Sequence, residues 1–284
     1  MRSTLSGHDV FPLTKEKLDI AVFEQVQKTV QELRPDCILN AAAYTNVDGA
    51  ETNVHLAYAV NALGPRNLAV VAAAFDIPLM HVSTDYVFDG RSSAPYHEFD
   101  RPNPLSVYGA SKLAGEEAIR SLHRRHFIAR TAWLYHTVGR NFPKTITALA
   151  SQPVVRVVND QVGSPTYAPH LASALARLLD TRAYGTYHLA GQGQATWYEL
   201  TCELYRQLGI ATRVEPAKSS EFPRPAQRPR YAALTTVQSP CIHLPQWREG
   251  VAEYASHVRA SLNSDLIAGG KSCVSQRESG IPPI

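Results

Sequence analysis

Tyr108 and Lys112 stand four residues apart in the run Tyr108-Gly109-Ala110-Ser111-Lys112. On a helix that spacing puts both side chains on one face. An ammonium beside a phenol favours the phenolate, since opposite charge stabilises the ionised form. A phenol tuned in this way can pass a proton to a carbonyl oxygen. About two dozen residues earlier comes His81-Val82-Ser83-Thr84-Asp85-Tyr86, an apolar strand pattern ending in small polar groups. Thr84 could hydrogen-bond the oxygen that Tyr108 protonates, and Asp85 and Tyr86 could meet sugar hydroxyls. Together these residues suggest carbonyl reduction. His81 reads as a packed strand residue rather than a base.

The elements that must position these groups alternate between strand and helix, which predicts an α/β fold. Asp9 to Leu13 reads as a short strand. Val22, Phe23, Val26, Val30 and Leu33 form an apolar stripe at helical spacing, closed by Pro35. Cys37 to Ala43 is a continuous apolar strand of the kind buried in a parallel sheet. Residues 54–74 read as helical, with Pro65 implying a kink or a restart. Leu79 to Ser83 is the next strand, the Tyr108 helix runs to about Leu122, and Phe127 to Tyr135 is another strand. Farther on, Val154–Val158 and Gly185–Ala190 read as strands, and Leu171–Leu179 as a helix. Thr196 and Glu199 form a capping box for a helix to about Leu208. A last helix is expected near 246–262, followed from Asn263 by an irregular tail.

With 284 residues, 44% hydrophobic and 19% charged, the chain has the composition of a globular protein. Its net charge of +3 is too small and scattered for nucleic acid, and it is compatible with an anionic small substrate. Cys37, Cys202, Cys241 and Cys273 are far apart with no CxxC spacing, which points away from a metal site and towards reduced thiols in the cytoplasm. No apolar run reaches the ~18 residues of a membrane span, so no membrane partner is expected.

The order and spacing of several runs resemble the dTDP-4-dehydrorhamnose reductase family, within the extended short-chain dehydrogenase/reductases. They are Asn40 to Asp48, His81 to Gly90, Tyr108 to Glu116, Arg130-Thr131-Ala132-Trp133, Asp160 to Thr166, and Phe222 to Pro229. The resemblance implies a Rossmann-type, doubly wound parallel sheet in a cofactor domain over 1–150, a smaller sugar-nucleotide part over 151–262, and the tail at 263–284. It implies NADPH or NADH as cofactor and hydride delivery to C4 of a dTDP-sugar, dTDP-4-dehydro-L-rhamnose. By position, Tyr108 becomes the proton donor, and Lys112 holds the nicotinamide ribose and lowers the phenol pKa. Thr84, Asp85 and Trp133 become substrate contacts, and Arg228, flanked by prolines, suits a diphosphate. Asp19 and Ile20 border the adenine end, and Ala43, Tyr44 and Thr45 the middle of the cofactor. Asn61 matches a structural or proton-relay asparagine. A homodimer is left open.

The family also implies an opening strand and a G-x-x-G-x-x-G turn feeding a helix, where the cofactor diphosphate rests. The sequence opens Met1-Arg2-Ser3-Thr4-Leu5-Ser6-Gly7, and no such run is present. By family spacing ~20 residues, including that fingerprint, are expected to be missing before Met1. A second reading therefore stands beside the reductase: a non-catalytic relative acting as a regulatory or binding subunit. A third is another sugar-nucleotide reductase or epimerase.

Overall fold

The structure is a computed structural model that describes residues 8–268, with side chains described through 261. Residues 8–14 form no strand, and Phe11 and Leu13 are exposed. This corrects the strand expected at Asp9–Leu13. A strand needs a lateral partner for its backbone groups, and no described residue supplies one there.

Helix α1 (Phe23–Leu33) buries Val26 and Val30 and ends where Arg34 turns left-handed, φ 46°, donating its N–H back to Val30 O. Strand β1 is only Ile38–Asn40, shorter than the apolar run suggests. It stops because the Asn40 side chain accepts the Ala42 N–H at 3.0 Å, which turns the backbone out of the ladder. Next come α2 (Val47–Thr52), capped by Asn46, α3 (Val54–Tyr58), a π-helical turn at Ala59–Leu63, and α4 (Gly64–Ala74) with Pro65 in its first turn. The interruption expected at Pro65 is thus a π-turn just ahead of it. Strand β2 (Leu79–Thr84), helix α5 (Val107–Leu122) and strand β3 (His126–Thr131) follow. The single strand expected to Tyr135 breaks at Trp133, whose φ is +44°, and resumes as β4 (Leu134–Tyr135).

The rest comprises α6 (Phe142–Ala148), β5 (Val154–Val158), β6 (Val162–Gly163), β7 (Thr166–Tyr167), α7 (Ala168–Leu179) and β8 (Gly185–His188). Then come β9 (Ala195–Thr196), α8 (Trp197–Leu208) with its Thr196–Glu199 capping box, β10 (Arg213–Ala217) and α9 (Trp247–Ala268). Residues 263–268 belong to that last helix, which corrects the irregular tail expected there. Residues 269–284 lie outside the described residues.

The main sheet is parallel, in the order β1-β2-β3-β8. Helices cover both faces. Leu79 and Ile128 pack with α1, α4 and Ile119 of α5, whereas the neighbouring Met80, Phe127 and Ala129 pack with α7. Successive strand residues facing opposite cores is the signature of a doubly wound sheet. A separate core joins Tyr135, Val155, Val157, Tyr167, Leu204 and Trp247. No helix among the described residues is long and apolar enough to cross a membrane.

Candidate active site

The carboxyl end of β2 delivers Thr84 directly into a 3-10 turn, Asp85–Val87, and the Thr84 hydroxyl caps it by accepting the Tyr86 N–H at 3.2 Å. Helix α5 starts against that turn, capped by Ser106. The approach is close enough that a Cβ on Gly109 would lie 2.2 Å from Tyr86 O, and one on Gly115 would lie 2.2 Å from Asn61 O. Glycine at both positions lets the helix reach the strand end. Tyr108 then meets the Thr84 hydroxyl and packs against Tyr86 edge to face, with ring centroids 5.4 Å apart. Tyr108, Thr84 and Asp85 are therefore gathered at one sheet edge, where ligands of open α/β sheets bind.

Charge at this edge is set mainly by burial. It pushes the Tyr108 phenol up to about 12, with Thr84 opposing and Asp85 reinforcing the shift. It raises the Asp85 carboxyl to about 7. Lys112 is 2% exposed, and burial lowers its amine to about 8 against the pull of Glu116. The expected lowering of the phenol by Lys112 is thus corrected. The lysine reaches along β2, donating to Val82 O at 2.7 Å and meeting His81 Nε2 at 3.2 Å, and desolvation governs the phenol. One turn on, Glu116 is fully buried; burial alone would raise its carboxyl, but Arg130, Arg120 and the Ser83 hydroxyl together hold it below its usual range.

The loop after β1 carries Ala43, Tyr44 and Thr45, with Thr45 exposed. Asn61, in the π-turn, accepts the Tyr44 N–H at 2.8 Å and donates to Tyr44 O and to Ser111 Oγ. It is fully buried, so it fixes the loop to α5 and is no surface residue. Asp19 accepts the Ala21 N–H, and Ile20 packs under Gly64, with Asn67 donating to the Ile20 carbonyl.

Trp133 packs on the cluster of Val87, Phe88, Ala132 and Leu234, which also takes Leu113, the neighbour of Lys112. Its indole stacks on Trp197, 3.5 Å between centroids and 6° between planes. Gly163 leaves room for it, since a Cβ there would lie 2.4 Å from the ring. Arg228 makes a two-pronged pair with Asp48 at 3.0 and 2.9 Å, Arg224 adds a third contact, and the Tyr86 phenol meets Arg228 as well. The arginine that sequence assigns to a diphosphate is tied to α2 by a carboxylate.

Sequence reasoning gave no role to Asp48, Asn40, Arg130, Thr131 or Trp197. Only Glu116 carried a readable signal, lying four residues beyond Lys112 on the same helix face. Among the described residues no group of three or more His, Cys, Asp or Glu could hold a metal ion.

The family model described as RmlD substrate binding domain matches residues 2–260. The dTDP-4-dehydrorhamnose reductase of Mycobacterium tuberculosis is 39% identical over 269 residues, covering 92% of this chain and 88% of that one. This chain belongs to the dTDP-4-dehydrorhamnose reductase family. A solved structure of the reductase from Clostridium acetobutylicum superposes with a TM-score of 0.89 at 39% identity, covering 91% of this chain and 94% of that one. The Bacillus anthracis reductase, solved in complex with NADP, gives 0.86 at 39% identity, covering 89% and 91%.

The reductase family implies a nicotinamide cofactor. Asp85 Oδ2 and Thr131 Oγ1 are buried without a protein partner, and Thr131 sits in register with Thr84 at the same strand ends. Polar atoms of this kind call for a polar ligand group, so the edge fits a cofactor's nicotinamide-ribose half together with a sugar. A glycine-rich strand-to-helix turn for the diphosphate is not among the described residues.

Proposed function

We propose that this chain reduces the C4 ketone of dTDP-4-dehydro-L-rhamnose to give dTDP-L-rhamnose, using NADPH or NADH. Support comes first from one observation: the Tyr108 phenol lies against the Thr84 hydroxyl at the carboxyl end of a parallel sheet. Membership of a family whose members carry this activity in their names agrees with it.

When bound, the cofactor supplies the hydride that the ketone carbon receives. Thr84 donates to the ketone oxygen and orients it towards Tyr108. Burial keeps Tyr108 protonated at neutral pH, the state a donor needs, and an alkoxide is a stronger base than the phenolate left behind, so the proton moves downhill. Lys112, one turn along α5, offsets the phenolate charge as an ammonium and meets the ribose hydroxyls. Asp85 takes a sugar hydroxyl, Trp133 covers the sugar, and Arg228, with Arg224, reads the diphosphate from the Asp48 side. Asp19, Ile20, Ala43, Tyr44 and Thr45 line the cofactor. We assign the cofactor role to 1–150 and the sugar-nucleotide role mainly to 151–262, with β8 returning to the first sheet.

Consumption of NADPH with dTDP-4-dehydrorhamnose tests this directly. Tyr108→Phe should lower turnover by about 10²–10⁴-fold while leaving cofactor affinity little changed; equal turnover excludes the phenol as proton source. The alternative is a non-catalytic binding subunit. Folded protein that shows no saturable NADPH binding by nicotinamide fluorescence would select that alternative.

A further inference from the structure

A buried line of side chains, Asn40 on β1, His81 on β2 and Lys112 on α5, runs behind the phenol. His81 has no role in the mechanism above. Its protonation state follows from the partners around it. The Ala42 N–H donates to Asn40 Oδ1 at 3.0 Å, which fixes the orientation of the amide. Asn40 Nδ2 therefore faces His81 Nδ1 at 3.0 Å. An amide nitrogen only donates, so Nδ1 accepts and carries no proton. The ring is fully buried, and burial, with Lys112 beside it, holds its pKa well below the ordinary value. A neutral imidazole has one N–H, and here that proton sits on Nε2.

Nε2 faces Lys112 Nζ at 3.2 Å. An ammonium has only donors and cannot accept from an N–H. A neutral amine can, and it still has hydrogens for the Val82 carbonyl at 2.7 Å. Only this state satisfies Asn40, His81, Lys112 and Val82 together, and unsatisfied buried polar groups are costly.

We infer that His81 is a positioning residue whose Nε2–H holds Lys112 as a neutral amine against β2, and that the lysine becomes an ammonium when it leaves His81 for a ligand hydroxyl or a phenolate. The second half rests on the proposed reductase reading, whereas the protonation state of the free protein does not. Lys112 is faced by His81 on β2 and by Glu116 on its own helix, and Glu116 is engaged by Arg130, Arg120 and Ser83. The other charged or titratable groups on the surrounding elements are Tyr108 and Glu117 on α5, Asp85 and Tyr86 on the turn after β2, and His126 and Arg130 on β3. Strand β1 and the π-turn contribute only the neutral Asn40 and Asn61. Burial shifts Lys112 in the same direction, towards the neutral amine.

Imidazole nitrogen spectra of the full chain read the tautomer, and side-chain carbon–proton spectra read the titration of each lysine. The sequence has seven lysines, and Lys112→Met identifies the resonance of interest. The expected result is a neutral His81 ring protonated at Nε2, with Lys112 titrating well below the other lysines. In His81→Gln an amide oxygen can face the ammonium, and Lys112 should move up towards the rest by a unit or more. A ring protonated at Nδ1, a Lys112 that titrates with the other lysines, or no movement in His81→Gln would each overturn the inference. If His81→Gln fails to fold, the wild-type tautomer decides alone. NADPH affinity against pH tests the second half of the inference. If the lysine takes up a proton on binding, affinity falls as pH rises through the titration of free Lys112, and that fall moves to higher pH in His81→Gln. Absence of NADPH binding together with the expected spectra would count against the reductase and leave the His81 role standing.

Discussion

At neutral pH the Asp85 carboxyl is close to half protonated, because burial raises it from 3.8 to about 7 while Thr84 and backbone donors only partly oppose the shift. The folded protein binds this proton more tightly than the unfolded chain does. The associated stability is fully present below about 4 and is lost as pH rises through about 7. The stability of wild type relative to Asp85→Asn should therefore decline across that window, on the order of a few kcal/mol. Denaturant melts from pH 4 to 8 measure it, and a constant gap between the two proteins would refute it. Thr84, Asp85, Tyr108 and Lys112 were all legible in sequence, since strand-end and i,i+4 spacing place them without coordinates. Their charge states were not. The pairing of Tyr108 with Lys112 suggested an acidified phenol, but desolvation depends on what encloses a group, and a linear sequence does not carry that.

Helix α5 shows what spacing reveals about an element and what it leaves out. Its extent was readable from the pattern, and so were the flanking strands β2 and β3. Its anchoring was not, because Glu116, Ser83 and Arg130 come from three elements that meet only in the folded chain. Arg130 is 1% exposed and binds Glu116 through Nε and Nη2. Arg130→Met leaves a buried carboxylate with weaker compensation and should cost about 3–5 kcal/mol. The double variant Arg130→Met with Glu116→Leu should recover much of that loss in thermal melts, whereas simple additivity would show that the pair is not coupled. The Trp133–Trp197 stack is a second case. Tryptophan 197 opens α8, far along the chain, and only the fold brings the two indoles together. Under the proposed role of Trp133, Trp197→Leu should raise KM for the sugar nucleotide by about fivefold, in line with ~1 kcal/mol of stacking, with kcat changed less. An unaltered KM would remove Trp197 from substrate placement.

Across the whole molecule, Asp48 and Arg228 join segments 180 residues apart. Ala226 also donates its N–H to Asp48, so one carboxylate holds the proline-rich run against α2. Asp48→Asn should lower stability by about 1–2 kcal/mol. Hydrogen exchange should quicken at residues 222–230 and stay slow in α5; equal exchange in that run would mean the clamp is incidental. The alternation of strands and helices made the doubly wound sheet legible. The strand expected at Asp9–Leu13 failed because strand propensity has no effect without a neighbour to accept its backbone.

The Glu116–Arg130–Ser83 anchor has a consequence for how this protein could change. A helix locked to two strands by enclosed ions cannot slide to suit a different sugar without stranding a charge. Tyr108 thus behaves as a fixed post, and variation in substrate choice has to be sought in the segments that swing towards it, the proline-rich run and the paired indoles.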